Sequence, residues 1–409
     1  MNRGVEASDE PTSVVRNRTV LGIGLASLFS DTGHEMATAA LPGFLSSLGA
    51  PAAALGAVEG IADAALSASK VAGGVLADRP GTDRRRIAAA GYLVTGLGYG
   101  SFAFAGAWPA VAAGRAVAWS ARGARTPAKE ALLAGAVPPA YLGRAFGVER
   151  AGDSIGAIVG PLIAAALIGA VGYRWLFGVS VLPALGAVLS ILLLAQESPR
   201  LRGTVHRAGM DLRTLATAPG AFRSLLAGVG LYGLGNFSAT LLILRATQIL
   251  VGDGWTRVAA ASTAVLLYTA HNAANAAAAY PAGALADRIG RRVILIAGIA
   301  LFAAACVAFA FSPTPVPTLA LLFVAVGTST ALVETGQGSH AAELLPEALR
   351  GRGFGLVGLV DGVGDLISSV VVGILWTVMA PAWGFAYAAV LSSLGALVLV
   401  PGCFSRDVT

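Results

Sequence analysis

Long apolar stretches alternate with short polar ones along the chain, at about 19–48, 54–77, 87–106, 109–137, 145–170 and 174–195, then at about 223–250, 257–285, 292–311, 316–342, 353–379 and 381–402. Each is close to or above the roughly 20 residues that a helix needs to cross a bilayer. Hydrocarbon offers no partner to a backbone amide, so spans of this length must be helical. The pattern predicts an all-α integral membrane protein with twelve transmembrane helices arranged as two six-helix bundles. A polar tail (1–18) precedes the first bundle (19–195), an arginine-rich linker (196–222) joins it to the second (223–402), and a short tail (403–409) closes the chain. A secretory leader is the competing reading of the first stretch, with Ala37 to Ala40 as small cleavage-site residues. Asp31, His34 and Glu35 interrupt the apolar run that such a leader requires.

The polar loops are of two kinds. One set carries Arg3, Arg16, Arg18, Arg79, Arg84, Arg85, Arg86, Arg144, Arg200, Arg202, Arg207, Arg213, Arg223, Arg288, Arg291, Arg292, Arg350, Arg352 and Arg406, and the alternate set carries only Arg174 and Arg257. Nineteen against two is the bias that cytoplasmic loops show. It predicts an even number of spans with both termini and the linker in the cytoplasm. The net charge of +6 is thus a topology signal, and nucleic acid is not an expected partner. Composition agrees: 56% of residues are hydrophobic and 12% charged, against roughly 25% charged in a soluble domain. Cys306 and Cys403 sit in apolar surroundings and supply neither a disulfide framework nor a thiolate cage.

The two halves repeat. Gly283-Ala284-Leu285-Ala286-Asp287-Arg288-Ile289-Gly290-Arg291-Arg292 has a looser copy in Gly74-Val75-Leu76-Ala77-Asp78-Arg79-Pro80-Gly81 followed by Arg84 to Arg86, with Asp78 and Asp287 209 positions apart. Gly143-Arg144-Ala145-Phe146-Gly147 recurs as Gly351-Arg352-Gly353-Phe354-Gly355 at an offset of 208, and Asp153 maps onto Asp361 at the same offset. Parallel six-span repeats related by an axis along the membrane normal are a transporter plan, with the substrate site between the halves.

The loop Gly-x-Leu-Ala-Asp-Arg-x-Gly with its basic cluster, present after the second span of each half, resembles the signature loop of the major facilitator superfamily. The first copy departs from the pattern after Gly81, where Thr82 and Asp83 precede the arginines. Gly156-Ala157-Ile158-Val159-Gly160-Pro161 resembles the Gly-x-x-x-Gly-Pro motif of the superfamily's proton-driven exporters, with Ala164 and Ala165 replacing the usual glycine pair. A close helix contact with a proline kink explains the same residues. Arg115 resembles the buried basic residue of the fourth span in those exporters. Ser30-Asp31 with Glu35, Glu59 to Asp63 with Lys70, and Arg122 to Glu130 look like a bacterial subgroup of undefined substrate. The resemblance implies a secondary transporter of the bacterial cytoplasmic membrane, working by alternating access as a monomer. It implies proton-coupled export of a small organic or amphipathic compound, with no cofactor beyond the coupling proton. An importer or uniporter of an organic anion, suggested by Arg115, Arg122 and Arg125, stays open beside it, as do a metal or metal-chelate transporter and a non-transporting receptor. No Gly-x-x-x-x-Gly-Lys-Ser/Thr occurs, so ATP is not the expected driver. An enzyme would need a nucleophile and base in reach, and the histidines have no such company in the sequence.

Ionisable residues at membrane depth cost at least about 2.5 kcal/mol at a helix centre and are functional candidates by default. Asp31, His34 and Glu35 can share one helix face, Glu59 and Asp63 repeat that spacing, and Arg115, Arg122 and Lys129 step by seven along the fourth span. Asp31, Glu35 and Arg115 are the proton-coupling candidates, since an arginine that approaches or leaves a carboxylate switches its proton affinity. His34, Glu59, Asp63, Arg122, Asn236, Arg245, His271, Asn275, Glu334 and Gln337 are the candidates for a polar substrate cavity. Glu130, Glu149 and Arg150 read as gate or packing residues, and Lys70 as a snorkelling cation. A metal held by His271, His340 and Glu334 would need ligands from separate helices with no close-spaced partner, so none is assigned.

Gly74, Asp78, Arg79, Gly81, Gly143, Arg144, Gly283, Asp287, Arg288, Gly290, Arg291, Gly351 and Arg352 form an expected cytoplasmic gate. Helix starts carry free N–H groups and partial positive charge, so Asp78 should meet the eleventh span near Gly351, and Asp287 the fifth near Gly143. Asp287→Asn should therefore weaken closure of that face. The check is thiol labelling at cysteines engineered into the cytoplasmic cavity, which should speed up; unchanged labelling would refute the latch.

Overall fold

Capping side chains and glycines set the helix boundaries. The computed structural model describes residues 13–77, 79, 81–138, 141–197, 220–311, 315–345 and 347–400. After a single turn, Ser13–Arg16, the Asn17 carboxamide oxygen accepts from Thr19 N at 2.9 Å and Val20 N at 3.3 Å and opens α1 (Arg18–Ser47). It is followed by α2 (Ala52–Ala77). Asp83 accepts from Arg86 N at 3.1 Å and opens α3 (Arg84–Gly100), which a 3-10 turn, Ser101–Phe104, extends. The remainder of the first half is α4 (Trp108–Ala136), α5 (Leu142–Val179) and α6 (Val181–Leu194). Gly172, at φ 76°, turns the chain inside α5, so its last residues already belong to the sixth span. The second half comprises α7 (Gly220–Gly233), α8 (Ala239–Gly252), α9 (Arg257–Ile289), α10 (Arg291–Phe311), α11 (Val316–Leu344), α12 (Glu347–Val378) and α13 (Pro381–Val398).

Among the described residues these thirteen helices make twelve crossings, because the expected continuous span at 223–250 is broken between α7 and α8. Gly235 sits in the break close against Ala388, where a Cβ would lie 2.8 Å from the carbonyl oxygen. Ser238 then restarts the helix: its hydroxyl accepts from Thr240 N, and its own N–H donates to Ser369 Oγ at 3.1 Å. The chain can depart from helix here because α12 supplies the missing partner. The expected linker is also shorter at its end, since α7 begins at Gly220; residues 198–219 lie outside the described set.

Six stretches are long and apolar enough to cross a membrane on composition alone, and one of them, Leu142–Leu194, has 53 residues, enough for two passes. α1, α2, α4 and α9 are not among them, because buried charged and amide side chains interrupt their apolar character. Asp31, Glu59, Arg115, Arg125, Lys129 and His271 are buried groups among them.

The repeat is visible in the packing. α1 lies on α5 and α6 as α7 lies on α12 and α13; α2 lies on α4 as α9 lies on α11. α3 packs on α4 and α6 as α10 packs on α11 and α13. The halves meet through α2 against α12 and α5 against α9, pairs that the same two-fold operation exchanges. The signature loops obey it too: Gly81 and Gly290, 209 positions apart, have φ of 78° and 103°, a backbone that favours glycine.

The two pairs between the halves close at the end opposite the arginine-rich loops. Ala53 N donates to Thr377 Oγ1 at 2.9 Å, a Cβ on Gly56 would run into Ser369 O, and one on Gly373 would lie 2.8 Å from Ala52 O. At the arginine-rich end a Cβ on Gly74, Gly143, Gly147, Gly338, Gly355 or Gly358 would meet nothing within 4 Å. The halves therefore stand apart on the face that carries the repeated loops.

Within the first half, α5 reaches the backbone of α1. A Cβ on Gly156 would lie 2.6 Å from Leu28 O, and one on Gly160 2.6 Å from Thr32 O. Gly160→Val should destabilise the protein by about 1–3 kcal/mol through overpacking, whereas Gly74→Ala should be close to neutral. Thermal unfolding in detergent checks the pair; equal midpoints would show that the contact is not needed.

Candidate functional site

α4 is the cationic spine of the first half, and each of its charged side chains reaches a different helix. Arg115, 1% exposed, donates through Nη2 to both oxygens of Glu59 on α2, at 3.0 and 2.7 Å, and through Nη1 to Thr38 on α1 at 2.9 Å. Its guanidinium also lies 5.3 Å from the Trp119 ring and 5.7 Å from that of Tyr99. Two turns on, Arg122 pairs with Asp31 on α1 at 3.2 Å. Arg125 donates to Thr95 on α3 and Ser30 on α1, each at 3.0 Å, and covers the Tyr92 ring at 3.9 Å. Among the described residues no carboxylate comes within ion-pair distance of Arg125. Lys129 pairs with Glu149 on α5.

On α1, His34 and Glu35 follow Asp31 by one turn and find different partners. His34 Nδ1 shares a 2.6 Å hydrogen bond with Tyr99 OH, and its ring packs edge-on against Trp119. Its Nε2 lies 3.7 Å from Glu35 Oε1. Glu35 accepts from Tyr268 OH on α9 at 2.9 Å, so this carboxylate bridges the two halves. A second bridge runs beside it, from Asn272 Nδ2 to Ala157 O on α5 at 2.7 Å. Asp63 lies one turn beyond Glu59, half-buried on α2.

The second half uses amides where the first uses arginines. Asn236, in the break between α7 and α8, donates to Asp365 at 2.9 Å and accepts from Tyr232 OH at 3.3 Å. Gln337 lies 3.4 Å from Asp361, whose other oxygen is buried without a partner. Arg245 is half-buried on α8 with its Nε unbonded, Asn275 is half-buried on α9, and Glu334 is exposed. His271 stacks on Tyr268 and bonds Asn272 at 3.0 Å, while His340 is beside Glu343. Among the described residues no three His, Cys, Asp or Glu side chains gather as a metal-holding group.

The gate residues lie apart. Asp287 has a side chain 75% exposed, and its one ion-pair neighbour among the described residues is Arg291 at 3.9 Å, four positions along the chain. Arg79, Arg144, Arg288 and Gly143 are exposed, Arg144 over the Tyr141 ring at 5.5 Å. The expected contact of Asp287 with the start of α5 is thus not made in this conformation, because the halves have separated at that end. Asp78 lies outside the described residues, and Gly351 and Arg352 are in α12 with side chains outside them.

Sequence reading missed Tyr99, Thr38 and Tyr268. For Thr38 the available signal was Arg115 itself: a buried guanidinium has five N–H groups to satisfy, so a hydroxyl on a facing helix had to be sought.

Two six-helix bundles related by a two-fold axis, meeting around buried charge, define a secondary transporter. The chain matches the Major Facilitator Superfamily over residues 23–252 and 254–408, and it belongs to that family. It is a transporter and not an enzyme. An uncharacterised MFS-type transporter of Methanocaldococcus jannaschii is 26% identical over 385 residues, 94% of each chain. An uncharacterised protein of Mycobacterium tuberculosis is 29% identical over 380 residues, 88% of this chain and 87% of its own. The fold is shared with the nucleoside transporter NupG, at a TM-score of 0.74 and 15% identity over 93% of this chain and 98% of that one. It is also shared with a bacterial homologue of the human lysosomal transporter Spinster, inward-facing and unoccupied, at 0.71 and 15% over 96% and 95%.

Breaking a buried pair leaves an uncompensated charge and costs about 3–5 kcal/mol. Glu59→Gln should lower stability by that order, and adding Arg115→Met should recover much of it. A double-mutant cycle on thermal or denaturant unfolding checks this; additive losses would mean the pair is not coupled.

Proposed function

We propose that the protein is a proton-coupled exporter of a small organic or amphipathic compound, with Glu35 as the proton carrier. The observation behind this is the Glu35–Tyr268 hydrogen bond, which ties a first-half carboxylate to a second-half hydroxyl beside the Asp31–Arg122 pair. A charged acceptor makes the stronger hydrogen bond. Protonation of Glu35 weakens the tie between α1 and α9 and lets one bundle rock against the other. Because α5 is seated on the α1 backbone at Gly156 and Gly160, movement of α1 carries α5 with it. Arg122 exchanges between Asp31 and Glu35 as the proton leaves and arrives, and substrate occupies the cavity when the proton does not.

Export as the direction rests on the likeness of Gly156 to Pro161 to the exporter motif. On this reading the arginine-rich face is cytoplasmic, in a bacterial inner membrane, and the present conformation is open to the cytoplasm. The remaining gate residues close that face in the other half of the cycle, with Asp287 returning to the start of α5.

Ligands from a thermal-shift screen of lipophilic cations, organic anions and nucleosides would be tested in proteoliposomes under an imposed pH gradient. Substrate and protons should move in opposite directions. Glu35→Gln should abolish uphill transport while leaving substrate exchange intact. Tyr268→Phe should slow transport by about tenfold or less, the size of one hydrogen bond. Movement of protons and substrate together would make the protein an importer, and substrate flux without protons a uniporter.

A further inference from the structure

We infer that the groove between α3 and the α5–α6 junction binds a phospholipid of the surrounding bilayer, with an acyl chain in the groove and the headgroup phosphate on Arg174. The groove encloses about 520 Å³ and is walled by Leu97, Phe104, Trp175 and Val181, with Gly100 and Gly178 among its lining. It lies on the outside of the first bundle, where α3 and α6 pack on each other and away from the helix pairs that join the halves. A Cβ on Gly178 would meet nothing within 4 Å, so this part of the groove is open. Phe104 and Trp175 are 89% and 73% exposed, an arrangement suited to lipid and not to water.

The headgroup level is marked independently. Trp108, Trp175, Trp255 and Trp383 all lie at the end of the molecule opposite the arginine-rich loops, and all are partly or largely exposed. Tryptophans gather at membrane–water boundaries, so this ring sets the boundary at the mouth of the groove. Arg174 stands at that boundary. Its Nη1 donates to Ala103 O at 2.7 Å and its guanidinium faces the Phe44 ring at 5.7 Å. Among the described residues no carboxylate lies within ion-pair distance of it. Gly172, at φ 76°, sets the turn that brings Arg174 and Trp175 to the rim. A guanidinium with free N–H groups above an apolar groove matches a phosphate above an acyl chain.

Native mass spectrometry of the full chain, delipidated in detergent and titrated with phosphatidylglycerol or with diacylglycerol of the same chains, tests the site. Phosphatidylglycerol should bind at one copy, more tightly than diacylglycerol. Arg174→Gln should weaken phosphatidylglycerol by about tenfold, the value of a charge-assisted contact, and leave diacylglycerol unchanged. Gly178→Leu, which places a side chain in open space, should weaken both lipids. Equal binding of the two lipids would overturn the role of Arg174. Undiminished binding to Gly178→Leu would overturn the groove as the site, whatever the fate of the arginine variant.

Discussion

A guanidinium inside a membrane protein draws partners from several helices, and Arg115 shows how much structure that takes, with its Nε still unbonded among the described residues. Its Nη2, donating to both oxygens of Glu59, fixes α4 to α2, its Nη1 fixes α4 to Thr38 of α1, and the Trp119 and Tyr99 rings lie beside it. Tyr99 is in turn held by His34. The same demand repeats down α4: Arg122 takes Asp31 of α1, Arg125 takes hydroxyls of α1 and α3, and Lys129 takes Glu149 of α5. Four cations on one helix thus secure α1, α2, α3 and α5. A bundle held by rungs of this kind moves as a body, because shifting one helix alone would strand a charge.

The second half has the same helix arrangement and a different chemistry. Asp361 and Asp365 are met by Gln337 and Asn236, side chains that neutralise nothing. Duplication preserved the packing, visible in the matched helix pairs and in the left-handed glycines Gly81 and Gly290, while the polar interior diverged. Both halves carry edge-on and tilted aromatic contacts, as among Phe44, Phe102 and Phe177 in the first and Tyr232, Phe237, Phe302 and Phe385 in the second, and the first adds ion pairs to them. The polar ties between them, Glu35 to Tyr268, Asn272 to Ala157 and Ala53 to Thr377, are single hydrogen bonds, and a single hydrogen bond is reversible where a braced bundle is not.

Much of this was legible in the chain because the bilayer leaves few options. Length and hydropathy set the spans, arginine asymmetry ordered the loops, and the 209-residue offset implied two like halves. Spacing also put Asp31, His34 and Glu35 on one face. What spacing left open was the partner: Glu59 and Asp31 are equally placed to meet an α4 arginine, and depth decides that Arg115 takes the first and Arg122 the second. The break in the seventh span left a local trace in Gly233, Gly235, Asn236 and Ser238, a glycine stop followed by a serine cap. That trace is readable only once Ser369 on a distant helix is known to satisfy the exposed amide.

The exposure of Asp287 follows from the same separation of rigid and reversible contacts. Asp287 lies near the exposed end of α9, the helix that packs on α5 elsewhere along its length, so any contact it makes with α5 depends on the relative position of the halves. The glycines of the α2–α12 contact behave oppositely. They are packed because the halves are closed at their end, and a side chain on Gly56 would have no room while that end stays shut. Gly56 and Gly74 lie on one helix, one crowded and one open, so α2 records the tilt of the two bundles along its length. A sequence repeat can therefore specify which surfaces are able to meet, while the relative position of the halves decides which of them do.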